Sequence, residues 1–206
     1  KSVQIENCYF ENCRIEENNG DYKGGSIFIN QSQLSNQFNL INITVNSSIS
    51  STDFTAFDFE CASCPKFVIE SCNFINCKTR NYIKSSYNVV SCPETVQLFE
   101  CRNSNFLFDE KGDANPRAIQ VHTPSFTFDN CAFIRCGSTL VKEGGCIFYK
   151  GKLDETRESV FIQNCHFEEC QSSHSAAFNL KMTTIYLPAF LNNSIINITS
   201  AYTISV

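Results

Sequence analysis

Cysteine is the residue of this sequence with the most obvious chemistry, and its thirteen copies recur in a fixed setting. Cys8 and Cys13 lie in the stretch IENCYFENC (5–13), with a phenylalanine between them and an asparagine before the first. Closely spaced cysteines can ligate a metal, form disulfides or pack as small buried side chains. The rest of the chain has to be compared with this stretch before one of these roles can be preferred.

A metal site is the least supported of the three roles. The only Cys-x-x-Cys pair is Cys61–Cys64, and no second pair follows at finger-like spacing, although a structural zinc site needs four ligands. The three histidines, His122, His166 and His174, are scattered along the chain. The sequence therefore predicts no metal and no cofactor.

Carboxylates offer a second kind of chemistry, because polysaccharide lyases and hydrolases use paired acids or a calcium cluster with a nearby base. The best local candidate is FDEKGDANPR (108–117), which carries Asp109, Glu110, Asp113 and Arg117. Its turn residues make an exposed polar loop the simpler interpretation. The sequence places no phosphate loop and no Ser-His-Asp arrangement. We therefore predict a non-enzymatic protein, with a carbohydrate-active enzyme as the alternative.

Composition limits the classes of partner. The 206 residues include 16 basic and 21 acidic side chains, and this net charge of -5 argues against binding nucleic acid. No apolar run approaches the roughly 18 residues of a membrane span, and no signal peptide is recognisable. The first residue is Lys1, so we expect a processed chain or a segment of a longer solenoid or filament. We predict one domain over residues 1–206.

The cysteine stretch is one copy of an internal repeat. VQIENCYFENC (3–13) matches FVIESCNFINC (67–77), FTFDNCAFIRC (126–136) and VFIQNCHFEEC (160–170). Three degenerate copies begin at residues 38, 96 and 189, so that the seven copies follow one another at steps of 29 to 35 residues. The gaps carry a second motif, GGSIFI (24–29) and GGCIFY (144–149). Self-similarity at such a period predicts a solenoid.

Each copy predicts two short strands that meet at a sharp bend. Val3 and Ile5 alternate with polar residues, and the alternation slips by one residue at Asn7 before Cys8 and Phe10 resume it. Asparagine suits the bend because it tolerates the left-handed conformation. The aligned copies predict a bend ladder, which consists of Asn7, Asn42, Ser71, Glu100, Asn130, Asn164 and Asn193.

With a third strand opened by Gly-Gly, each repeat fits one coil of a right-handed parallel β-helix of about seven coils. A helical solenoid needs 3.6-residue stripes that are not evident, and a β-sandwich would not need a constant step. We predict Phe10, Phe74, Phe133 and Phe167 inside the coils, in a column where the fourth copy has Asn103. In the same alignment, Phe106 falls in the final column with Cys13.

The cysteines of the ladder are either buried thiols or half-cystines. Neighbouring strands lie about 4.8 Å apart, which is within the Cα range of a disulfide. The candidate disulfide pairs are Cys72–Cys101, Cys131–Cys165 and Cys136–Cys170. Core packing by thiols is the preferred interpretation, because Ile43 and Ser194 replace cysteine in the same column.

The predicted outer surface is polar at Glu6, Glu70, Asp129 and Gln163, but Val68 and Phe99 interrupt it. Phe161, Phe190 and Ile195 predict an apolar outer strip near the C-terminal end, which a loop or a partner would cover. N-glycosylation sequons occur at Asn30, Asn42, Asn46, Asn192 and Asn197, and Asn42 falls in the bend ladder. Together with the cysteine content, they favour an extracellular or cell-surface location.

Gly24–Ile27 and Gly144–Ile147, each preceded by a Phe-x-x-Cys element, resemble the repeats of polymorphic outer-membrane-protein-like surface proteins. The resemblance covers nearly the whole chain, although only two Gly-Gly copies are complete. It implies a right-handed parallel β-helix with a role in adhesion, surface display or scaffolding and no catalytic residues. We therefore expect protein or glycan partners or end-to-end self-association into a filament, with an intracellular cytoskeletal scaffold as a further alternative.

Overall fold

The structure is a computed structural model that describes residues 2–15, 25–31, 36–50, 54–79, 88–141, 143–150, 159–181, 189–200 and 204–205. Within these ranges the chain is all β, and no helix is long and apolar enough to cross a membrane. The paired strands in these ranges run parallel, and they return to the same sheets at each repeat. The predicted all-β parallel β-helix is thus confirmed.

The first twelve strands come from the N-terminal half of the chain. They are β1 (Val3–Glu6), β2 (Tyr9–Glu11), β3 (Arg14–Ile15), β4 (Ile27–Gln31), β5 (Gln37–Ile41), β6 (Thr44–Asn46), β7 (Ile49–Ser50), β8 (Phe54–Cys61), β9 (Cys64–Glu70), β10 (Asn73–Ile75), β11 (Lys78–Thr79) and β12 (Asn88–Cys92).

The other twelve strands continue the same order. They are β13 (Val96–Arg102), β14 (Asn105–Leu107), β15 (Arg117–Val121), β16 (Ser125–Asp129), β17 (Ala132–Ile134), β18 (Ile147–Lys150), β19 (Val160–Gln163), β20 (His166–Glu168), β21 (Phe178–Lys181), β22 (Ala189–Leu191), β23 (Ser194–Ile196) and β24 (Ile204–Ser205).

Three sheets of seven strands form the walls of the solenoid. Sheet 1 has the order β1-β5-β9-β13-β16-β19-β22, sheet 2 has β2-β6-β10-β14-β17-β20-β23, and sheet 3 has β24-β21-β18-β15-β12-β8-β4. A short sheet, β11-β7-β3, follows sheet 2 in the first three coils of the solenoid, and we call each coil a rung. Each rung therefore contributes one strand to each wall, so side chains at equivalent positions stack in columns along the axis.

Alternation along the short strands decides which columns fill the interior. Phenylalanines occupy the central position of sheet 2, where Phe74, Phe106, Phe133 and Phe167 lie in register and are almost fully buried. Their rings are nearly parallel, with centroids 4.9, 5.2 and 4.9 Å apart along the column. Burial of stacked aromatic rings of this kind stabilises the contact between successive coils.

The first corner joins sheet 1 to sheet 2 on every rung, and its residue adopts the left-handed conformation. φ lies between 50° and 55° at all seven positions, which are Asn7, Asn42, Ser71, Asn103, Asn130, Asn164 and Asn192. The corner N–H groups bond to the next rung, as in the 3.0 Å bond from Asn7 to the Ile41 carbonyl. Asparagine dominates because it tolerates this conformation better than other residues with a Cβ.

Two rungs place this corner differently from the sequence alignment. Glu100 pairs with Val68 and Thr127 inside β13, so the prediction of a bend at Glu100 is wrong and the corner is Asn103. On the last rung the left-handed residue is Asn192, and the predicted Asn193 is wrong. A corner must be followed by the inward position of sheet 2 three residues later, and only Asn103 and Asn192 satisfy this with Phe106 and Ile195.

The corrected register moves several side chains between the inside and the outside. Phe99, predicted outside, is fully buried, whereas Asn103, predicted inside, is exposed at the corner. Phe190 and Ile195 point inward, and the Phe190 ring stacks on Phe178 at 4.8 Å. The predicted apolar outer strip is therefore wrong for these two residues, because a one-residue shift along a strand reverses the face of every side chain.

A second corner ends sheet 2, and the sequence analysis did not identify it. φ is between 51° and 55° at Asn12, Ser47, Asn76, Arg135, Glu169 and Asn197, while Phe108 takes the equivalent place on the fourth rung without a positive φ. The signal for it lies in the opening stretch, because Asn12–Cys13 repeats the dipeptide Asn7–Cys8. Each Asn-Cys pair is a corner followed by a small inward side chain.

Candidate functional site

The corner asparagines form a hydrogen-bonded ladder along the outside of the solenoid. The Asn42 amide donates to Asn7 Oδ1 at 2.8 Å, and the Asn130 amide donates to Asn103 Oδ1 at 2.9 Å. The Asn164 amide donates to Asp129 Oδ1 at 2.8 Å. Asn193 lies beside this ladder, where its side-chain oxygen accepts the Cys165 N–H at 2.9 Å. The ladder stabilises the stacking of the rungs and faces solvent.

All thirteen cysteines are free thiols, and eleven of them are buried. Cys131 and Cys165 share a column on adjacent rungs, as the sequence analysis expected, and so do Cys136 and Cys170. The pair Cys72–Cys101 is wrong, because Cys101 pairs with Ile69 and its column belongs to sheet 1. Cys101 Sγ instead lies 3.8 Å from Cys131 Sγ, on the next rung.

Most of these thiols are unsuited to react. Burial raises the pKa of Cys72 to about 11 and that of Cys77 to about 12, and it raises the pKa of Cys92 well above its usual value. The pKa of Cys131 is also raised, first by its hydrogen bond with Cys101 and then by burial. Because only the thiolate is nucleophilic, these side chains act as small apolar packing groups at neutral pH.

Three of the buried thiols meet at one place, which we call the thiol corner (Cys136, Gly145, Cys146 and Cys170). The sulphur atoms of its three cysteines all lie within 4.8 Å of one another, and all three side chains are fully buried. Burial raises the pKa of Cys136 and of Cys146. Burial also acts to raise the pKa of Cys170, but hydrogen bonds with the other two thiols outweigh it and hold that pKa low.

Close backbone contacts bring the three cysteines together. An added Cβ at Gly145 would lie 2.3 Å from the Gln171 carbonyl oxygen and 2.7 Å from that of Ala176. A Cβ at Gly137, where φ is +73°, would lie 2.2 Å from the same Gln171 oxygen. These glycines let the chain before β18 press against the following rung, so that Cys146 reaches the column of Cys136 and Cys170.

Arg117 fixes the neighbouring turn from inside the protein. The residue is 3 % exposed, and its guanidinium group donates to the Glu143 carbonyl at 2.5 Å and to the Gly144 carbonyl at 2.9 Å. It also donates to Asn88 Oδ1 at 2.9 Å and lies 4.4 Å above the centre of the Phe148 ring. Burial lowers its pKa to about 9, so the group is still charged at neutral pH. Arg117 therefore holds the turn that carries Gly145 and Cys146.

An equivalent arrangement at the other Gly-Gly copy carries hydroxyl groups, and we call it the hydroxyl corner (Cys13, Gly25, Ser26 and Ser48). The Ser26 hydroxyl donates to Ser48 Oγ at 2.9 Å, and Ser48 Oγ lies 2.6 Å from the Thr55 carbonyl oxygen. By register, Cys13 corresponds to Cys136, Ser26 to Cys146 and Ser48 to Cys170. The signal was visible in the sequence as GGSIFI against GGCIFY.

The structure divides the acidic segment 108–117 between two environments. Asp109 accepts a 2.6 Å hydrogen bond from the Asn76 amide at the second corner, whereas Arg117 turns inward to bind carbonyl groups. Glu110 and Asp113 line an open depression of about 350 Å³ together with Lys78 and Lys111. Arg117 is thus separated from these carboxylates, while two lysines lie beside Glu110 and Asp113. The absence of enzymatic activity stays a prediction.

The structure exposes some of the side chains that were predicted to lie on the outer surface and buries others. Phe161 points outward and is 41 % exposed, and Val68, in the same column of sheet 1, is 8 % exposed. Of the sequons, Asn30, Asn192 and Asn197 are exposed, while Asn46 is half-buried and donates to the Tyr9 hydroxyl at 3.3 Å. Their glycosylation stays a prediction.

Comparison of the chain with family models, with curated proteins and with solved structures found no match.

Proposed function

We propose that the chain is a non-enzymatic structural module, a rigid rod whose outer faces and ends contact protein or glycan partners. The observation that carries this proposal is the aromatic column of Phe74, Phe106, Phe133 and Phe167, with ring centroids 4.9 to 5.2 Å apart. Such a column couples four successive rungs through close packing, which opposes bending of the rod. Rigidity over a repeated surface suits display and assembly better than induced closure around a small substrate.

The outer faces supply a regular set of polar groups for contact. Asn105 in sheet 2 donates to Asn73 Oδ1 at 2.8 Å, and the asparagines of the first corner run beside these residues. Neighbouring strands of one sheet lie about 4.8 Å apart, so each outer column offers evenly spaced amides. Repeated amide groups of this kind can hydrogen-bond to glycan hydroxyls or to a peptide backbone.

A sharper version of the proposal is end-to-end self-association. Strands β1, β2 and β4 form one edge of the three sheets, and β22, β23 and β24 form the other. Edge strands present backbone donors and acceptors that pair readily with another chain. Phe10 and Ile195 lie in one interior column at the two ends and are only partly buried, so the apolar interior would continue from one copy into the next.

Sedimentation velocity and negative-stain imaging over a range of protein concentrations test self-association. We expect rods that lengthen as concentration rises. Phe10→Lys should stop this growth by placing a charge at one end, whereas Tyr9→Lys should not, because Tyr9 points outward and is 60 % exposed. A wild-type protein that stays a monomer at all concentrations would contradict the filament version.

A turnover screen against acidic and neutral polysaccharides, with and without calcium, separates the module from the carbohydrate-active alternative. We expect no turnover. Turnover that disappears in the variant Asp109→Asn would overturn the non-enzymatic proposal. Intact mass before and after deglycosylation tests the proposed cell-surface location, and a chain from its native source without glycans would favour the intracellular scaffold.

A further inference from the structure

The thiol corner is the one group of three mutually close metal-ligating side chains in the described part of the chain. We propose that it binds a soft metal ion in three-coordinate geometry, namely Cu(I), through the thiolates of Cys136, Cys146 and Cys170. This site is independent of the proposed structural function, because its three residues lie inside the rod and not on its outer faces.

The distances between the sulphur atoms suit a trigonal ion. With metal–sulphur bonds of about 2.3 Å, the value for zinc thiolates, an ion at the centre of an equilateral triangle needs about 4 Å between sulphurs. The three sulphurs are within 4.8 Å of one another, so small rotations about χ1 bring them to that separation. Cys131 is also close to two thiols, Cys101 at 3.8 Å and Cys165, but those three sulphurs are not all within 4.8 Å of one another.

The ligand set favours Cu(I) over zinc. Thiolates select soft ions, which include Cu(I) and zinc, but a structural zinc site is almost always four-coordinate. In the described residues no fourth cysteine, histidine, aspartate or glutamate joins the group, and its three members are 0 % exposed, which leaves no place for a water ligand. Cu(I) accepts three sulphur ligands without a fourth.

The corner is held in position by groups that are not themselves ligands. Gly137 and Gly145 both contact the Gln171 carbonyl so closely that a Cβ on either would overlap it. Arg117 binds the carbonyl oxygens of Glu143 and Gly144 at 2.5 and 2.9 Å, immediately before Gly145. Sites of this kind bind well because the supporting shell fixes the ligand geometry before the ion arrives.

Binding exchanges protons and transfers no electrons. Each thiol that becomes a ligand breaks its S–H bond, releases one proton to solvent and forms one Cu–S bond, while the ion stays in the +1 state. Affinity should therefore increase with pH. Because the sulphurs are buried, the ion enters while the chain folds or when the rungs on either side of Cys170 open locally.

Anaerobic titration of the full, reduced chain with Cu(I), in competition with bicinchoninate, measures the stoichiometry and affinity. We expect one tightly held equivalent in the wild type and a rise in Tm on binding. In Cys146→Ser/Cys170→Ser the affinity should fall by more than the roughly 10- to 100-fold that follows loss of an outer-shell partner. This variant should fold, since serines occupy both equivalent positions in the hydroxyl corner.

Cys72→Ser is the matched control, because it also removes a buried thiol and Ser104 occupies the same column on the next rung. It should keep the tight equivalent. Equal binding by the wild type and the double variant would overturn the proposal, since the other thiols would then account for it. So would a wild type that binds zinc in preference to Cu(I) at the same competitor strength. If the double variant does not fold, the single variant Cys170→Ser provides the same comparison.

Discussion

The hydroxyl corner and the thiol corner share a glycine turn before sheet 3 and differ in chemistry. In both, a glycine (Gly25 or Gly145) precedes a strand of sheet 3, and the next N–H bonds to an alanine carbonyl at 3.0 Å, from Ser26 to Ala56 and from Cys146 to Ala176. In both, an added Cβ on the second glycine would overlap a carbonyl oxygen, at 1.8 Å for Gly25 and 2.3 Å for Gly145. Both turns therefore need a glycine at this position. They differ two residues after the second corner, where Gly137 has a φ of +73° and Arg14 lies in β3.

The side chains make the two corners different environments. The hydroxyl groups of the hydroxyl corner hydrogen-bond to one another and to a backbone carbonyl, as in the 2.9 Å bond between Ser26 and Ser48. The three sulphurs of the thiol corner are weak hydrogen-bonding groups, and they lie close together and fully buried. The comparison teaches that a solenoid can change the chemistry of one corner without changing its fold.

The largest expected effect comes from the aromatic residue that supports each corner. Phe133→Ala, next to the thiol corner, should lower the free energy of unfolding by about 3–5 kcal/mol, because a buried aromatic leaves a cavity. Its ring lies between those of Phe106 and Phe167 at 5.2 and 4.9 Å. Phe10→Ala, beside the hydroxyl corner, should lower it by only about 1–2 kcal/mol because the ring is half-buried. Urea unfolding measures both, and equal losses would contradict the assigned burial.

The glycines test whether the two backbones are equivalent. Gly25→Ala and Gly145→Ala should each cost about 1–3 kcal/mol or more, since the new Cβ overlaps backbone atoms that cannot move aside. Gly112→Ala is the control, because a Cβ there would meet nothing within 4 Å. Thermal unfolding should show two similar decreases in Tm and no decrease for the control. A large difference between Gly25 and Gly145 would show that the corners are not equivalent.

The smallest expected effect concerns Asn12 and Arg135, the second-corner residues that directly precede Cys13 of the hydroxyl corner and Cys136 of the thiol corner. Arg135 takes a left-handed φ of 55° and pairs with Glu169 at 2.6 Å, where the guanidinium lowers the pKa of Glu169. Arg135→Asn should change Tm at neutral pH only slightly, because the relaxed backbone offsets the lost ion pair.

The pH dependence of this variant isolates the ion pair. A lowered folded-state pKa means that the contribution of Glu169 is fully present above its unfolded-state pKa, about 4.3, and is lost as the pH falls through the folded value. Arg135→Asn should therefore gain stability relative to the wild type on acidification through this range. Parallel stability curves for the two proteins would contradict the assigned pairing.

Much of the fold followed from the sequence because the repeat carried its own physical explanation. The alternation around Asn7 and Phe10 predicted strands that meet at a left-handed corner, and the structure has both. The fourth and seventh copies were harder, because Cys101 and the doubled Asn192–Asn193 offer a second way to align them. Strand pairing decides between the two alignments, and it buries Phe99.

The thiol corner could not be predicted in the same way. Cys136, Cys146 and Cys170 belong to separate segments of the chain, and they meet only when the coil closes and two glycines allow close backbone contact. Column reasoning places Cys136 beside Cys170 but says nothing about Cys146, which follows a turn and lies in another wall. The difference between Ser26 and Cys146 was visible, yet its meaning depends on three-dimensional contact.

The most direct test transfers the chemistry of one corner to the other. Ser26→Cys/Ser48→Cys gives the hydroxyl corner three cysteines with Cys13, beside a glycine turn that is hydrogen-bonded as in the thiol corner. In the anaerobic Cu(I) titration against bicinchoninate, the account predicts one tightly held equivalent in the wild type and two in this variant. A variant that folds and still holds one equivalent, or a wild type that holds none, would contradict it.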